Sequence, residues 1–391
     1  MYTSARTNNG RARLVLLGPP GCGKSLIASE LADWCEAVDW TLVAWIDASS
    51  SESIVNGLTE LAKRFGINYY DISRPSEASD SRATDHKNKI LAHRCMDHIA
   101  STAPTNRIIV LDNVKSINDI TGYIPHGANL RILATSTSQE GWQVQGWTCI
   151  NIAELHREDS IALLQTSTGI CDSTSANRIS STLCDLALAI AQAAAYINYE
   201  KCTLEEYCTL LTDHKIRDLT RPAPGSHYRA SVSAALLAHV NRILQNLNEE
   251  ASSTLTQLKM TAPLAETGIA THWLVDHIGP DPMTSRHAWA TLINQHVYLY
   301  DETTKLTRMH ALQARILRES WGTFKTEAPF DTFPHFTTWR NGGATPGTDE
   351  KNRLFQAYFT LIHRYDRFRQ YAWNTAPGPL TRLSKHEKDT P

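Results

Sequence analysis

Short apolar runs alternate with amphipathic stretches over residues 1–145 of the chain. The apolar runs predict strands at Leu14–Leu17, Thr41–Ile46, Arg107–Leu111 and Arg131–Thr135. Between the first two strands, Ile27, Leu31 and Cys35 recur at the spacing of one helix face. Strands that alternate with helices predict a parallel sheet joined by crossover helices. Residues 1–145 are therefore expected to form an α/β domain with helices flanking the sheet.

Helical patterns replace the strands after residue 150. Apolar residues at helical spacing predict helices at Arg157–Gln165, Ala176–Tyr199 and Leu204–Leu211. These helices predict a small all-α helical domain over residues 150–215. The stretch that follows contains Pro222, Pro224 and Gly225 and predicts a linker.

The next segment, residues 226–320, mixes helices with a hairpin. Helical runs at Val232–Leu247 and Ala251–Met260 come first, and strand-like runs at Val297–Tyr300 and Lys305–Met309 then flank a polar turn. A helix, a hairpin and another helix in this order predict a winged-helix-like domain. Residues 321–373 are expected to add a helical extension, and the polar residues 374–391 a disordered tail.

Composition narrows the partners and the location. The chain has 391 residues, of which 42% are hydrophobic and 20% charged, so it can form several globular cores. Its net charge of −2 gives no electrostatic reason to expect nucleic acid as a partner. No apolar run approaches the roughly eighteen residues of a membrane helix, so no membrane partner is expected. Eight cysteines without CxxC pairs indicate reduced thiols and a cytoplasmic protein.

One octapeptide carries the strongest chemical signal. Residues 18–25, Gly-Pro-Pro-Gly-Cys-Gly-Lys-Ser, match the phosphate-loop pattern GxxxxGK[ST] and lie between the first strand and the first helix. Glycines let backbone N–H groups face phosphate oxygens, Lys24 adds a positive charge, and the Ser25 hydroxyl can ligate Mg²⁺. The predicted nucleotide-binding residues of this segment are Gly18, Pro19, Pro20, Gly21, Cys22, Gly23, Lys24, Ser25 and Leu26. An ordinary glycine-rich turn is the alternative interpretation.

A second signal is the apolar strand that ends at Asp112. A carboxylate at this place is expected to hold Mg²⁺ together with Ser25, so Lys24 and Asp112 are the predicted catalytic residues. A plain strand-to-loop turn is the alternative for Asp112. The next residue, Asn113, is an amide and cannot act as a general base. We therefore expect slow hydrolysis of a nucleoside triphosphate, or hydrolysis that depends on another acid such as Asp47 or Glu140.

The phrases GPPGCGKS, TLVAWIDAS, IIVLDNV and RILATST follow one another in the order found in P-loop ATPases of the STAND class. In this succession the chain resembles the NB-ARC branch of that class over about residues 11–320. The resemblance implies a P-loop NTPase fold that binds ATP or ADP with Mg²⁺. Relatives usually carry an arginine that senses the γ-phosphate where this chain has Thr137. Thr135 and Ser136 are left as candidate hydrogen-bonding partners for phosphate or water.

Two further segments match motifs of the same family. Leu183–Ala189 resembles its GLPLA motif, with Ala187 in place of the proline that packs near the adenine. A buried Ala-rich helix without a ligand role is the alternative. Met309 and His310 resemble the start of its MHD motif, which implies that His310 contacts the β-phosphate of ADP, although Ala311 replaces the acidic residue. A histidine that follows a methionine by chance is the alternative.

These signals lead to one main functional hypothesis. The chain is expected to be an ATP/ADP-binding molecular switch that couples nucleotide state to domain closure, and the resemblance implies a homo-oligomer or a partner protein. A nucleotide-binding scaffold without hydrolysis is the first alternative, consistent with Asn113, Thr137 and Ala187. A DNA-binding regulator that uses Arg308 and Arg315 of the winged helix is the second.

Overall fold

The computed structural model describes residues 13–67, 81–101, 106–125, 130–214, 216–220, 231–247, 251–262, 268–276 and 281–320. The predicted helical extension, residues 321–373, and the predicted tail, residues 374–391, lie outside the described residues. The chain divides into two compact units, one formed by Met1–Asn246 with Ala290–Tyr298 and the other by Leu247–Trp289 with the residues from Leu299 onward.

The first unit contains a parallel sheet and most of the helices. Its strands are β1 (Arg13–Leu17), β2 (Leu42–Asp47), β3 (Arg107–Val114), β4 (Arg131–Ser136) and β5 (Thr148–Asn151). Its helices are α1 (Lys24–Ala37), α2 (Ser51–Arg64), α3 (Ser81–Ser101), α4 (Asn118–Thr121), α5 (Arg157–Thr168), α6 (Ser173–Thr182), α7 (Ala187–Glu200), α8 (Leu204–Asp213), α9 (Ile216–Leu219) and α10 (Val232–Asn246).

The sheet has the order β2-β3-β4-β1-β5, and all neighbouring strands run parallel. One face packs on α1 through Ala28, Ala32 and Cys35. The other packs on α2 and α3 through residues such as Leu58 and Met96. Because both faces are covered, the strands read as nearly continuous apolar runs. The predicted α/β architecture, a parallel sheet with flanking helices, is confirmed.

Two details of the sheet differ from the sequence prediction. The strand predicted to end at Leu111 continues to Val114 through an irregular register. The edge strand β5 was not predicted, because only Cys149 and Ile150 of its residues are apolar. Backbone pairing with β1 holds this strand at the edge of the sheet, and such pairing leaves little trace in the side-chain pattern.

The single helix predicted at Ala176–Tyr199 is wrong: the segment forms two helices, α6 and α7. Between them, Cys184 and Asp185 take positive φ angles of 55° and 56°, which no helix accommodates. The guanidinium of Arg157 donates to both carboxylate oxygens of Asp185 at 2.7 Å and fixes this turn. Apolar periodicity continues across the break, which is why the pattern concealed it.

The second unit consists of helices around a small sheet. Its elements are α11 (Ala251–Thr261), β6 (Ile269–Ala270), α12 (Thr271–Asp276), α13 (Pro282–Asn294), β7 (Tyr298–Asp301), β8 (Leu306–Met309) and α14 (Ala311–Ser320). The C-terminal end of α13, from Ala290, and the first residue of β7 are counted in the first unit. The sheet order is β6-β8-β7. The buried Gln257 amide of α11 donates to the carbonyls of Leu274 and Ser285 and so ties α11 to α12 and α13. The winged-helix assignment of this region stays a prediction.

The described residues add two simple facts about the chain. All eight cysteines are free, so none forms a disulfide. No helix within the described ranges combines the length and the apolar content needed to cross a bilayer.

Candidate functional site

The phosphate loop links the end of β1 to the start of α1. A Cβ on Gly18 would lie 2.2 Å from the carbonyl oxygen of Ile152, so no larger residue fits there. Gly23 takes φ 102° at the N-terminus of α1, and no side chain caps this helix end. A Cβ on Gly23 would meet nothing within 4 Å. The loop therefore leaves the first N–H groups of α1 accessible to an anion.

Lys24 folds back onto this loop. Its side chain is 8% exposed, and its ammonium donates to the carbonyls of Gly18 at 2.9 Å and Pro19 at 2.8 Å. It also lies 3.8 Å from the Sγ of Cys22. Burial lowers the pKa of Lys24 and raises the pKa of the Cys22 thiol. The hydrogen-bonding partners of this buried cation are thus neutral groups.

Asp112 of β3 and Ser25 of α1 are in direct contact. The Ser25 hydroxyl donates to Oδ1 of Asp112 at 2.7 Å, and the Thr135 hydroxyl donates to the same oxygen at 2.5 Å. The Thr135 hydroxyl accepts in turn from the backbone N–H of Asn113 at 2.8 Å. Hydroxyls from α1 and β4 therefore both donate to the Asp112 carboxylate, which lies near the end of β3.

A bulge places this carboxylate. The register between β3 and β4 shifts between Leu111 and Val114, and Asn113 has φ 67°. Asparagine tolerates this left-handed conformation better than most residues. Its amide oxygen accepts from Lys115 at 2.6 Å. Bulges beside active sites commonly redirect side chains in this way.

The donor set at Ser25 and Asp112 fits Mg²⁺. Mg²⁺ prefers oxygen ligands and is usually held by one or two carboxylates together with phosphate oxygens and waters. A hydroxyl and a carboxylate oxygen 2.7 Å apart supply that kind of ligand beside the phosphate loop. Among the described residues, no cluster of three or more His, Cys, Asp or Glu side chains offers an all-protein metal cage. A bound Mg²⁺ would neutralise part of the phosphate charge.

The helix α7 also reaches the phosphate loop. The backbone N–H of Leu188 donates to the carbonyl of Gly21 at 3.0 Å, and a Cβ on Gly21 would lie 3.1 Å from the Cβ of Leu188. Ala187, the first residue of α7, follows Leu186, which provides no side-chain cap. The structure thus brings the start of α7 against the loop, and the adenine contact of Ala187 stays a prediction.

The other predicted site residues have separate positions. The Ser136 hydroxyl bonds to backbone groups: it donates to the carbonyl of Val114 at 2.8 Å and accepts from the N–H of Ser138 at 3.0 Å. Leu26 is 60% exposed. His310 precedes α14 in the second unit, where its carbonyl accepts from the N–H of Ala314. The phosphate contacts of Ser136, Leu26 and His310 stay predictions.

The two alternative acids also differ in position. Asp47 ends β2 and is the register partner of Asp112 on the neighbouring strand. Its Oδ1 accepts from the backbone N–H of Ser49 at 2.9 Å. Glu140 lies in the loop after β4, and its side chain is exposed. Of the two, Asp47 is the one that the sheet aligns with the Mg²⁺-binding candidate.

A polar cluster beyond the end of β4 was missed by the sequence analysis. The Nδ1–H of His296 donates to the carbonyl of Thr137 at 2.9 Å, and the backbone N–H of Gln139 donates to the carbonyl of Asn294 at 2.8 Å. The Gln139 amide also donates to Nε2 of His296 at 2.7 Å. The segment Ala290–Tyr298 is therefore anchored on the residues that follow β4.

Arg242 belongs to the same cluster. Its Nη2 donates to the Thr137 hydroxyl at 3.0 Å and to Nδ1 of His239 at 2.9 Å. A guanidinium only donates, so His239 accepts at Nδ1 and donates from Nε2 to the carbonyl of Gln295 at 2.8 Å. Burial lowers the pKa of His239 to about 3, and the charge of Arg242 acts in the same direction.

Electrostatics links this cluster to the phosphate loop. Burial, helped by the charges of Arg242 and Lys24 and opposed by those of Asp47 and Asp112, lowers the pKa of Lys115 to about 8. The charge of Lys24 also lowers the pKa of His239. Lys24 of α1, Lys115 just after β3 and Arg242 of α10 therefore share one electrostatic environment.

One sequence signal could have identified Arg242. It is the only Asp, Glu, Lys or Arg among the residues of α10, VSAALLAHVNRILQN. A lone charged residue in an otherwise uncharged amphipathic helix is expected to contact a polar or charged group outside the helix. His296, by contrast, follows Asn294 and Gln295 in a pattern that offers no such signal.

The chain has a distant relative among known proteins. No protein-family model matches the chain. Over 220 residues the chain is 26% identical to a nucleotide-binding leucine-rich repeat (NLR)-like protein of Hyaloscypha variabilis, a match that covers 53% of this chain. The predicted resemblance to NB-ARC/STAND-class P-loop ATPases is confirmed. The chain spans only 22% of the length of that relative.

Solved structures show more distant similarity. The Walker-type ATPase PABY2304 of Pyrococcus abyssi has a TM-score of 0.49 and 11% identity, covering 81% of this chain and 93% of its own. The STAND protein PH0952 of Pyrococcus horikoshii, with a tetratricopeptide repeat sensor, has a TM-score of 0.32 and 12% identity, covering 92% and 48%. The ORC2 protein of Aeropyrum pernix has a TM-score of 0.44 and 12% identity, covering 82% and 92%. Similarity at this level carries no functional inference for this chain.

Proposed function

We propose that the chain binds ATP or ADP with Mg²⁺ at the phosphate loop and works as a nucleotide-dependent switch with slow hydrolysis. The observation that carries the proposal is the 2.7 Å hydrogen bond from Ser25 to Asp112, which joins two motif residues 87 positions apart. An ordinary glycine-rich turn would not require a carboxylate from another strand beside it. The sequence match to an NLR-like protein supports the same function.

Each group of the loop has a physical role in this proposal. The N–H groups at the start of α1 provide a positive field for phosphate oxygens. Lys24 now donates to two neutral carbonyls, and exchanging these for phosphate oxygens would place an anion against its positive charge. Ser25 and Asp112 would hold the Mg²⁺.

Slow hydrolysis follows from the residue after Asp112. Asn113 is an amide, and its oxygen accepts from Lys115, so it offers no base to an attacking water. Asp47, aligned with Asp112 in the sheet, is the carboxylate that we propose for this task. A base displaced to the neighbouring strand is consistent with a switch whose lifetime depends on slow turnover.

The switch requires that nucleotide binding changes the surroundings of the loop. The hydrogen bond from Leu188 to Gly21 ties the start of α7 to the loop backbone. A nucleotide that moves Gly21 would therefore move α7, and a difference in affinity between the two arrangements would shift their populations. Oligomerisation of the ATP-bound form and a cytoplasmic location are further parts of the proposal, taken from the sequence analysis.

A non-hydrolysing scaffold is the second candidate. Asn113 at the base position and Thr137 at the sensor position both favour it. Single-turnover assays distinguish the two: a switch cleaves stoichiometric ATP slowly, whereas a scaffold retains it intact. The DNA-binding alternative has less support, because Arg315 pairs with Glu319 at 3.0 Å within α14.

The experiment that tests the proposal identifies the bound nucleotide by mass spectrometry and measures ATP and ADP affinity with and without Mg²⁺. Lys24→Ala is expected to abolish binding, since the backbone alone does not neutralise a triphosphate. Asp112→Asn is expected to retain nucleotide but lose most of the dependence on Mg²⁺. Lys63→Ala, at an exposed lysine of α2, is the matched control and should bind as the parent does. Parent-like ATP binding by Lys24→Ala would show that the site is assigned wrongly.

A further inference from the structure

Three cations around the phosphate loop have neutral hydrogen-bonding partners. Lys24 donates to backbone carbonyls, Lys115 to an asparagine amide, and Arg242 to a threonine hydroxyl and a neutral histidine. In the described part of the chain, no ion pair involves any of them. Asp47 and Asp112 act electrostatically on Lys115, and Asp112 also acts on Lys24, so three cations outnumber two carboxylates and favour a further anion.

We propose that Arg242, carried by α10, recognises the terminal phosphate of a bound nucleoside triphosphate, in place of the strand-end arginine that Thr137 replaces. The proposal rests on nucleotide binding at the phosphate loop. It adds a charged residue for the terminal phosphate, where the sequence offered only the hydroxyls of Thr135 and Ser136.

Position supports the assignment. Thr137 is the first residue after β4, and β4 lies between β3, which carries Asp112, and β1, which leads into the phosphate loop. Arg242 reaches this point from 105 residues further along the chain and donates to the hydroxyl of Thr137 itself. A guanidinium from another helix therefore reaches the side chain at the strand position where relatives carry their own.

The hydrogen bonds of Arg242 leave it able to take an anion. Both described bonds use Nη2, so Nη1 and Nε remain as donors among the described residues. A planar guanidinium with two free donors suits a phosphate group. His239 fixes the orientation of the guanidinium, because its own ring is fixed by the carbonyl of Gln295.

The test compares the affinities of full-length protein for ADP and for the non-hydrolysable triphosphate adenosine 5′-(β,γ-imido)triphosphate, both with Mg²⁺. Arg242→Gln is expected to weaken triphosphate binding by about tenfold or more, the effect of one charge-assisted hydrogen bond, and to leave ADP binding within about twofold. Arg94→Gln, an exposed arginine of α3, is the matched control and should change neither affinity. Equal weakening of both nucleotides, or of neither, would overturn the proposal.

A second readout separates recognition from a structural role. Removing an unpaired cation beside Lys115 should leave the melting temperature of the nucleotide-free protein unchanged or raise it, while the shift induced by the triphosphate shrinks. A structural tie between α10 and β4 would instead lower the melting temperature and leave the triphosphate-induced shift intact. Arg242→Met, which keeps the aliphatic stem, gives the same comparison if the glutamine variant does not fold.

A double variant that restores a guanidinium at position 137 gives the most specific test. Adding Thr137→Arg to Arg242→Gln restores a guanidinium at the strand end and should recover preferential triphosphate binding. No recovery in a folded double variant would count against the assignment. If the parent protein binds neither nucleotide, both the proposed function and this inference fail. If the parent binds both and Arg242→Gln changes nothing, only this inference fails.

Discussion

His239 is a buried histidine that stays neutral in the folded protein. Its two ring nitrogens are both used, one donating to Gln295 and the other accepting from Arg242. A second proton would place an N–H against the guanidinium. Burial and the charges of Arg242, Lys24 and Lys115 lower its pKa from 6.5 to about 3.

This shift predicts a pH dependence of stability. Between pH 6.5 and about 3 the unfolded chain binds a proton at His239 that the folded chain does not. The stabilising effect is fully present above pH 6.5 and is lost as the pH falls, at up to about 1.4 kcal/mol per pH unit for this one group. The lowered pKa of His296 acts in the same direction.

Urea unfolding of the full chain at pH 7.5 and pH 5.5 measures this effect. His239→Gln should lose less stability between the two conditions than the parent, because the glutamine does not titrate. His86→Gln, at an exposed histidine of α3, serves as the control and should behave as the parent does. An identical pH dependence for His239→Gln and the parent would contradict the tautomer and the burial described here.

At the scale of elements, the bulge at the end of β3 positions the candidate Mg²⁺ ligand. Valine at position 113 would force a β-branched residue into φ 67°, which costs about 1–3 kcal/mol. Asn113→Gly loses the same amide but accepts positive φ. We therefore expect Asn113→Val to be clearly less stable than Asn113→Gly in urea unfolding. Equal stability of the two variants would mean that the backbone at the bulge is not strained.

The same scale shows what sequence can and cannot predict. Buried parallel strands appear in the sequence as apolar runs, so the pattern predicted β1 to β4. The glycine motif predicted the loop before α1. The edge strand β5 and the break at Cys184–Asp185 depend on backbone pairing and on the Arg157 contact, which periodicity does not record. The phosphate-loop pattern likewise predicted Ser25, and the apolar strand that ends in a carboxylate predicted Asp112.

The contacts of Arg242 and His296 could not be predicted from local sequence patterns. Their contacts with Thr137 join residues 105 and 159 positions apart in the chain. No local pattern encodes such pairs, and a single sequence does not reveal which late residue faces a given early one. The lone charge of α10 marks Arg242 in the sequence, but its contact with Thr137, like that of His296, had to come from the structure.

At the scale of the whole molecule, the proposed switch predicts a change in assembly. The parent protein with Mg²⁺ and a non-hydrolysable ATP analogue should form a larger species than with ADP, as measured by light scattering after size exclusion. Lys24→Ala should stay at the smaller size with either nucleotide, because it does not hold the phosphates. One size in both nucleotide states would exclude nucleotide-driven assembly and favour the scaffold.

The contact between His296 and Thr137 has a consequence for biosynthesis. A ribosome finishes β4 long before it reaches the segment that caps it, because 159 positions separate the two residues. During that interval the nascent sheet can form its strands but not this corner. Any fragment that stops before Ala290 should accordingly lack the contacts that anchor the end of β4, and such fragments are expected to engage chaperones or proteases.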